Sequence, residues 1–335
     1  MNRQWLLARR PQGMVSADDF HLVEQPIPEL SDGQVLVRNL YLSCDPTQRG
    51  WIGRDTYLPA VKLGDVMRSI AAGEVVESRH RRFESGQVVQ GMLGWQDFAV
   101  VNPDSSVLTP VLPGVPIEAS LSVLGLNGLT AYFGLLEIGR PQPGETVAVS
   151  AAAGATGSAA GQIALIKGCR VVGIAGGSDK CRYVSELGFH AVIDYKAEDV
   201  SERLRETCPN GIDIYFDNVG GDLLNAALAR LAMRGRVVLC GAIARYNDTA
   251  PSPGPSNYLS LVVQRGRMEG FIVLDYYNRA SEAIPVLYGW MNEGKLKYRT
   301  DVVHGLESAP AALERLFNGE NQGKQLVKIA DPSIP

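Results

Sequence analysis

An α/β fold with two cores is predicted: a doubly wound parallel sheet in the middle of the chain and a β-rich module built around it. Three observations carry this expectation. The 335 residues suit two domains at roughly 150 residues each. The first third holds short apolar runs between turn residues and lacks a long helical stretch. From Glu145 onward, six short apolar runs alternate with helical segments, the pattern of consecutive βαβ units.

In the first third, strands are expected over residues 4–8, 20–23, 35–42, 70–76, 88–92 and 98–101. Pro26-Ile27-Pro28, Asp32-Gly33, Asp45-Pro46 and Asn102-Pro103-Asp104 punctuate them, as in a sandwich or barrel-like module. Residues 118–138 carry helical apolar spacing interrupted near Asn127-Gly128, which predicts two helices. The parallel strands are expected at 146–150, 170–175, 191–194, 212–217, 236–240 and 268–273. Helices are expected at 157–167, 179–187, 200–207, 223–233 and 258–264, with another at 280–293. The tail from residue 298 offers a helix at 309–318 and a strand at 325–329. It is too short for a domain of its own and is expected to pack back onto the N-terminal module.

Composition narrows the function. Apolar residues make up 45% and charged residues 20%, and the net charge of −4 provides no electrostatic footprint for nucleic acid or anionic lipid. No stretch approaches the roughly 18 apolar residues of a membrane span, and the N-terminus has no secretory h-region. A cytoplasmic protein is the expectation. The five cysteines (Cys44, Cys169, Cys181, Cys208, Cys240) are odd in number and form no CxxC pair, so free thiols are expected. The four histidines show no metal-ligand spacing, and no metal is expected.

The strand at 146–150 runs into Ala152-Ala153-Gly154-Ala155-Thr156-Gly157, a GxGxxG pattern with Ala in the first slot. Gly154 lets the backbone approach a pyrophosphate, Gly157 lets helix and strand pack closely, and the helix N-terminus supplies oriented N–H donors. Close packing alone would also explain small residues here. The position, at the first strand–turn–helix of a six-strand alternation, is the context that a dinucleotide site requires. The second strand then ends in Gly176-Gly177-Ser178-Asp179-Lys180, with Gly where an NAD site places an acid for the ribose hydroxyls. Asp179 is expected in the cap or first turn of the next helix, where the dipole favours it. NADPH over NADH follows.

Several stretches resemble the medium-chain dehydrogenase/reductase superfamily over nearly the whole chain. They include Leu42-Ser43-Cys44-Asp45-Pro46, Gly128-Leu129-Thr130-Ala131-Tyr132-Phe133-Gly134, residues 151–157 and 216–221, Pro253-Gly254-Pro255 and residues 319–324. More narrowly, the chain is similar to the zinc-free branch of leukotriene/prostaglandin reductases, plant alkenal double-bond reductases and bacterial curcumin-reductase-like enzymes. The resemblance implies a GroES-like catalytic domain from both chain ends (1–122 and 297–335) around a dinucleotide-binding Rossmann domain (123–296). It implies NADP(H) held by Gly154, Thr156 and Gly157 at the pyrophosphate turn, with Ser178, Lys180 and Tyr195 on the 2′-phosphate side. Asn218, Gly241 and Tyr246 fall near the nicotinamide ribose, Phe271, Ile272 and Val273 near the carboxamide, and Asn321 comes from the tail. A homodimer is the family expectation. The zinc-binding relatives' Gly-His-Glu motif is replaced by Leu63-Gly64-Asp65-Val66, and Cys44 stands without partners.

The chain also departs from its relatives. Thr47 stands where many relatives have a pocket tyrosine, and Val263 close to where some eicosanoid reductases place another; both losses argue against a lipid-mediator substrate. The leading reading is NADPH-dependent reduction of the activated C=C bond of an enal or enone, with Tyr246 and Tyr57 as the catalytic residues. Tyr246 would hold the ribose and the substrate carbonyl, and Tyr57 would supply the α-carbon proton by itself or through water. Quinone reduction with the same cofactor is the alternative. An NADPH-binding protein without turnover is the third.

Overall fold

The computed structural model describes residues 1–333. Contacts divide the chain into Met1–Leu121 with Thr300–Pro335, and Ser122–Arg299. The first unit begins with β1 (Asn2–Leu7), β2 (Phe20–Gln25), β3 (Val35–Ser43), a short helix α1 (Gln48–Gly53) and β4 (Ile70–Ser78). It continues through β5 (Val88–Met92), β6 (Phe98–Val101), β7 (Leu108–Pro110) and α2 (Ile117–Ser120). β3 is buried almost end to end, and accordingly takes antiparallel partners on both sides, β4 on one and β6 on the other. β7 escapes sequence reading because it has three residues and ends in Pro110. Trp95, Leu7, Val37 and Val75 anchor this unit's core.

The central unit opens with α3 (Leu126–Phe133), which runs on into a π-helical segment, Gly134–Gly139. The expected break at Asn127-Gly128 is a misreading. Both residues lie inside α3, and a Cβ at 128 would meet the Val123 carbonyl oxygen at 1.8 Å, so the glycine serves a close approach. There follow β8 (Thr146–Ser150), α4 (Ala155–Ile166), β9 (Arg170–Ala175), α5 (Ser178–Glu186), β10 (Ala191–Asp194), α6 (Val200–Thr207) and β11 (Ile212–Asp217). The unit ends with α7 (Gly221–Ala229), β12 (Leu231–Leu239), α8 (Ser260–Gln264), β13 (Arg267–Gly270) and α9 (Ala280–Asn292).

The six strands are all parallel and lie in the order β10-β9-β8-β11-β12-β13. Numbered from β8, that is 3-2-1-4-5-6, the dinucleotide-binding order, with its switch point between β8 and β11. Most bounds fall within a residue or two of expectation, and two places differ by more. The helix expected at 223–233 stops at Ala229, because β12 starts at Leu231, paired to Ile212 ahead of a register shift. The strand expected at 268–273 ends at Gly270, so Phe271, Ile272 and Val273 lie beyond it, at the start of a 3₁₀ segment, Val273–Arg279.

The tail adds β14 (Thr300–His304), α10 (Ala309–Asn318) and β15 (Lys324–Lys328). β15 pairs antiparallel with β3 and parallel with β14, giving the first unit a sheet ordered β14-β15-β3-β4-β5-β7. β14 was not expected; it carries two consecutive valines and stays half-buried. Lys324 is buried, and its ammonium donates to the Cys44 carbonyl (3.0 Å) and to Asp45 Oδ1 (2.5 Å). Among the described residues, no helix is long and apolar enough to cross a membrane.

Candidate functional site

At the switch point, β8 hands the chain to α4 through a turn that only small residues fit. Ala151 takes a left-handed backbone (φ 49°), which costs a non-glycine residue about 1 kcal/mol or more, and its carbonyl accepts from the Gly154 N–H (2.9 Å). Gly154 is the N-cap of α4. A Cβ at Gly157 would lie 2.3 Å from the Ala151 carbonyl oxygen, so any side chain there would push helix and turn apart. The turn therefore presents the first N–H groups of a twelve-residue helix, which have no intrahelical acceptors, to an incoming anion. Thr156 lies in that first turn, its Oγ1 accepting from Asn127 Nδ2 (3.3 Å).

The ends of β9 and β10 form the next part of the edge. Gly177, at φ 92°, caps α5 and donates its N–H to Asp194 Oδ1 (2.8 Å). Tyr195 lies over Gly176, where a Cβ would meet its ring carbons at 2.6 and 2.7 Å. Ser178 and Asp179 open α5, and Asp179 pairs along the helix with Arg182 (3.2 Å). Of the two carboxylates near the glycine slot, Asp179 thus has its own cation and Asp194 accepts from the Gly177 N–H, while Lys180 is half-buried alongside.

A bonded set that sequence reading missed joins β8 to β11. Ser150 Oγ donates to Asp217 Oδ1 (3.1 Å) and accepts from the Asn218 N–H (2.8 Å), and Asn218 Nδ2 donates to the Ser150 carbonyl (2.7 Å). Asp217 Oδ1 also accepts from the N–H groups of Val219 and Gly220, both at 3.0 Å. Burial pushes the Asp217 carboxyl upward, against the pull of those donors. A polar residue closing an apolar strand was the available signal, but its meaning depends on β8 lying beside β11.

Beyond β12, Gly241 N–H donates to the Asp217 carbonyl (3.0 Å), and the loop folds Tyr246 back over this corner. Tyr246 Oη accepts from the Ala242 N–H (3.2 Å), and a Cβ at Gly241 would meet that oxygen at 3.1 Å and the Asn218 carbonyl at 3.4 Å. The structure thus brings Tyr246, Gly241, Asn218 and Ser150 together. Phe271 packs against the backbone of Gly134 in the π-helical segment, beside Phe216. Tyr276 meets Phe271 edge-on at 6.5 Å and stacks on Phe133 at 4.9 Å. Phe271 is held as part of an aromatic cluster, with Ile272 and Val273 following in the chain.

In the other unit, Tyr57 is 44% exposed, yet its hydroxyl is fixed: Thr47 Oγ1 lies 2.6 Å away and Trp51 Nε1 donates to it at 3.2 Å. Thr47, noted in the sequence only as a lost tyrosine, is therefore a partner of the tyrosine that remains. Asn321 Nδ2 donates to the Gly323 carbonyl (2.8 Å) in the turn leading into β15. Among the described residues, no three His, Cys, Asp or Glu side chains gather. Burial pushes the Cys44 thiol up to about 12, despite the Lys324 ammonium nearby.

Comparisons with known proteins give the chain's relatives. Residues 3–109 match a family described as the N-terminal domain of oxidoreductase, and residues 155–288 match one described as zinc-binding dehydrogenase. The chain is 43% identical to the NADPH-dependent curcumin reductase of Escherichia coli K12, covering 98% of this chain and 97% of that one. It is 39% identical to a 2-alkenal reductase (NADP(+)-dependent) of Nicotiana tabacum, over 98% of each. The crystal structure of CurA in complex with NADPH from Vibrio vulnificus superposes with a TM-score of 0.93 at 41% identity, covering 98% of this chain and 100% of that one.

Proposed function

The chain belongs to the medium-chain dehydrogenase/reductase superfamily, and we infer that it is an NADPH-dependent oxidoreductase that reduces the activated C=C bond of α,β-unsaturated aldehydes and ketones. The observation that carries this reading is the corner where the Ser150–Asp217–Asn218 bonds and the Tyr246 hydroxyl meet, beside a glycine turn built for a pyrophosphate. NADPH, when bound, supplies the hydride. The residues to hold it are Gly154, Thr156 and Gly157 at the turn, Ser178, Lys180 and Tyr195 beyond β9 and β10, and Asn218, Gly241, Tyr246, Phe271, Ile272, Val273 and Asn321 toward the nicotinamide.

Reduction of an enone moves charge onto the carbonyl oxygen, and a donor positioned there lowers the barrier. Tyr246 is the group assigned to it. Its Oη accepts from the Ala242 N–H, which holds the phenol at this corner. Tyr57 is assigned the α-carbon proton, and its bonds with Trp51 and Thr47 support a hydroxyl held in place. Neither role calls on a metal, and the scattered donors support a zinc-independent enzyme.

A homodimer fits the central unit. β13 is the terminal strand of its sheet, and Tyr258, Leu259, Val262 and Val263 nearby are 58–71% exposed. Five unpaired cysteines suit the cytoplasm. The test is turnover with NADPH over small enals, enones and quinones. Saturable loss of the enone double bond is expected, with quinones slower. Quinone turnover without C=C reduction would replace this reading, and no turnover with any acceptor would leave a cofactor-binding protein.

A further inference from the structure

The central sheet has a second concave feature, at the opposite edge from the one just described. A solvent-open cavity of about 450 Å³ is lined by Arg140, Gln142, Arg234, Arg236, Arg265 and Arg267. Arg140 and Gln142 precede β8, Arg267 is the first residue of β13, and Arg236 is level with it in the ladder, so this is the N-terminal edge. Its volume lies in the range of small-molecule sites, roughly 300–1,000 Å³.

Five guanidiniums surround this space, and only two have carboxylate partners. Glu145 receives Arg236 through both terminal nitrogens (2.9 and 2.5 Å), and Glu269 lies 3.7 Å from Arg267 Nε. Among the described residues, Arg140, Arg234 and Arg265 have no carboxylate within 4.0 Å, in a chain whose net charge is negative. Arg236 and Arg267 also have a structural use, donating to the Gly139 carbonyl (2.8 Å) and the Ile138 carbonyl (2.5 Å) at the end of the π-helical segment. Arg140 donates to the Glu137 carbonyl (2.8 Å) and Arg265 to the Val263 carbonyl (3.1 Å), each leaving most of its fork unused.

The backbone shows a second, independent peculiarity. Among the described residues, four that are not glycine have positive φ, and three of them are Arg140 (51°), Arg234 (62°) and Arg265 (48°). Arg140 and Arg265 stand at helix C-caps in the left-handed region, where glycine is the usual choice. Covering apolar surface with a long stem, or capping carbonyls, would explain one such residue. It does not explain three strained arginines around one cavity, least of all Arg234, which is exposed and caps no helix. Strain that persists at several positions of one concavity is the mark of a functional constraint.

We propose that this cavity is a binding site for an oligophosphate, separate from the dinucleotide edge and beyond the reductase reading. Guanidinium forks match phosphate oxygens in pairs, and the three without a carboxylate, Arg140, Arg234 and Arg265, around a volume this size suit two or three linked phosphoryl groups better than one. The ligand chemistry is shared by a free phosphate chain and the triphosphate of a nucleotide.

Calorimetric titration of the full chain, saturated with NADP⁺ so that the dinucleotide edge is filled, tests this with tripolyphosphate, orthophosphate and ATP. Saturable 1:1 tripolyphosphate binding is expected, at least roughly tenfold tighter than orthophosphate and weakened by salt. Arg234→Glu with Arg265→Glu should weaken it at least roughly tenfold and leave NADPH affinity unchanged. Arg234→Gln, at an exposed position, should weaken it less and serves if the double variant fails to fold. ATP binding more tightly than tripolyphosphate would support a nucleotide as occupant, and equal affinity the phosphate chain alone. Absence of saturable tripolyphosphate binding, or unchanged affinity in Arg234→Gln and the double variant alike, would overturn the proposal. Both results are independent of enone turnover.

Discussion

The two edges of the central sheet are made by the same six strands and offer opposite chemistry. At the C-terminal edge, β8, β9 and β11 lead through Gly154, Gly177 and Gly220 into the N-termini of α4, α5 and α7, so the backbone itself supplies N–H donors. At the N-terminal edge, helical segments end, and the groups presented are carbonyls. There Arg236, Arg267 and Arg140 donate to the carbonyls of Gly139, Ile138 and Glu137. An anion at one edge of such a sheet would meet backbone N–H groups presented by glycines, and at the other only side-chain cations. Strain follows the same division: Ala151 carries it beside the glycine turn, and Arg140, Arg234 and Arg265 carry it around the cavity.

The comparison breaks most severely at Gly157. Gly157→Val puts atoms where the Ala151 carbonyl oxygen already lies 2.3 Å from a Cβ, and overpacking of this kind costs about 1–3 kcal/mol. NADPH binding should fall below detection by fluorescence titration, with a lowered Tm; wild-type affinity in that variant would show that the turn does not hold the cofactor. Tyr246→Phe is the next largest. Turnover of a small enone at saturation should fall by ~10²–10³, with NADPH affinity nearly unchanged. Wild-type rates would remove Tyr246 as the polarising group.

How much of this was legible in the sequence depends on chain distance. The strands at 146–150, 170–175, 191–194 and 212–217 have the bounds read from their apolar runs, because parallel strands buried on both faces are written as such runs. The glycine turn was legible because all its parts are consecutive. The Ser150–Asp217–Asn218 bonds were not, since their members lie 67 and 68 residues apart and meet only when the first strand pairs with the fourth. The arginine cavity was invisible for the same reason, being assembled from three segments around residues 140, 235 and 266. Thr47 was legible as a departure from relatives, but its bond to Tyr57 required the fold of α1 and the loop after it.

The smallest expected effect tests the central claim most directly, that the C-terminal edge is built for NADP(H). Gly176 puts no side-chain carboxylate in the slot at the end of β9, Asp179 is paired with Arg182, Asp194 accepts from the Gly177 N–H, and Lys180 lies alongside. Fluorescence titration of the wild-type protein should show NADPH binding at least roughly tenfold tighter than NADH, about 1.4 kcal/mol, and Lys180→Ala should narrow that gap by removing a charge-assisted contact to phosphate. Equal affinities for NADPH and NADH in the wild-type protein would contradict the account.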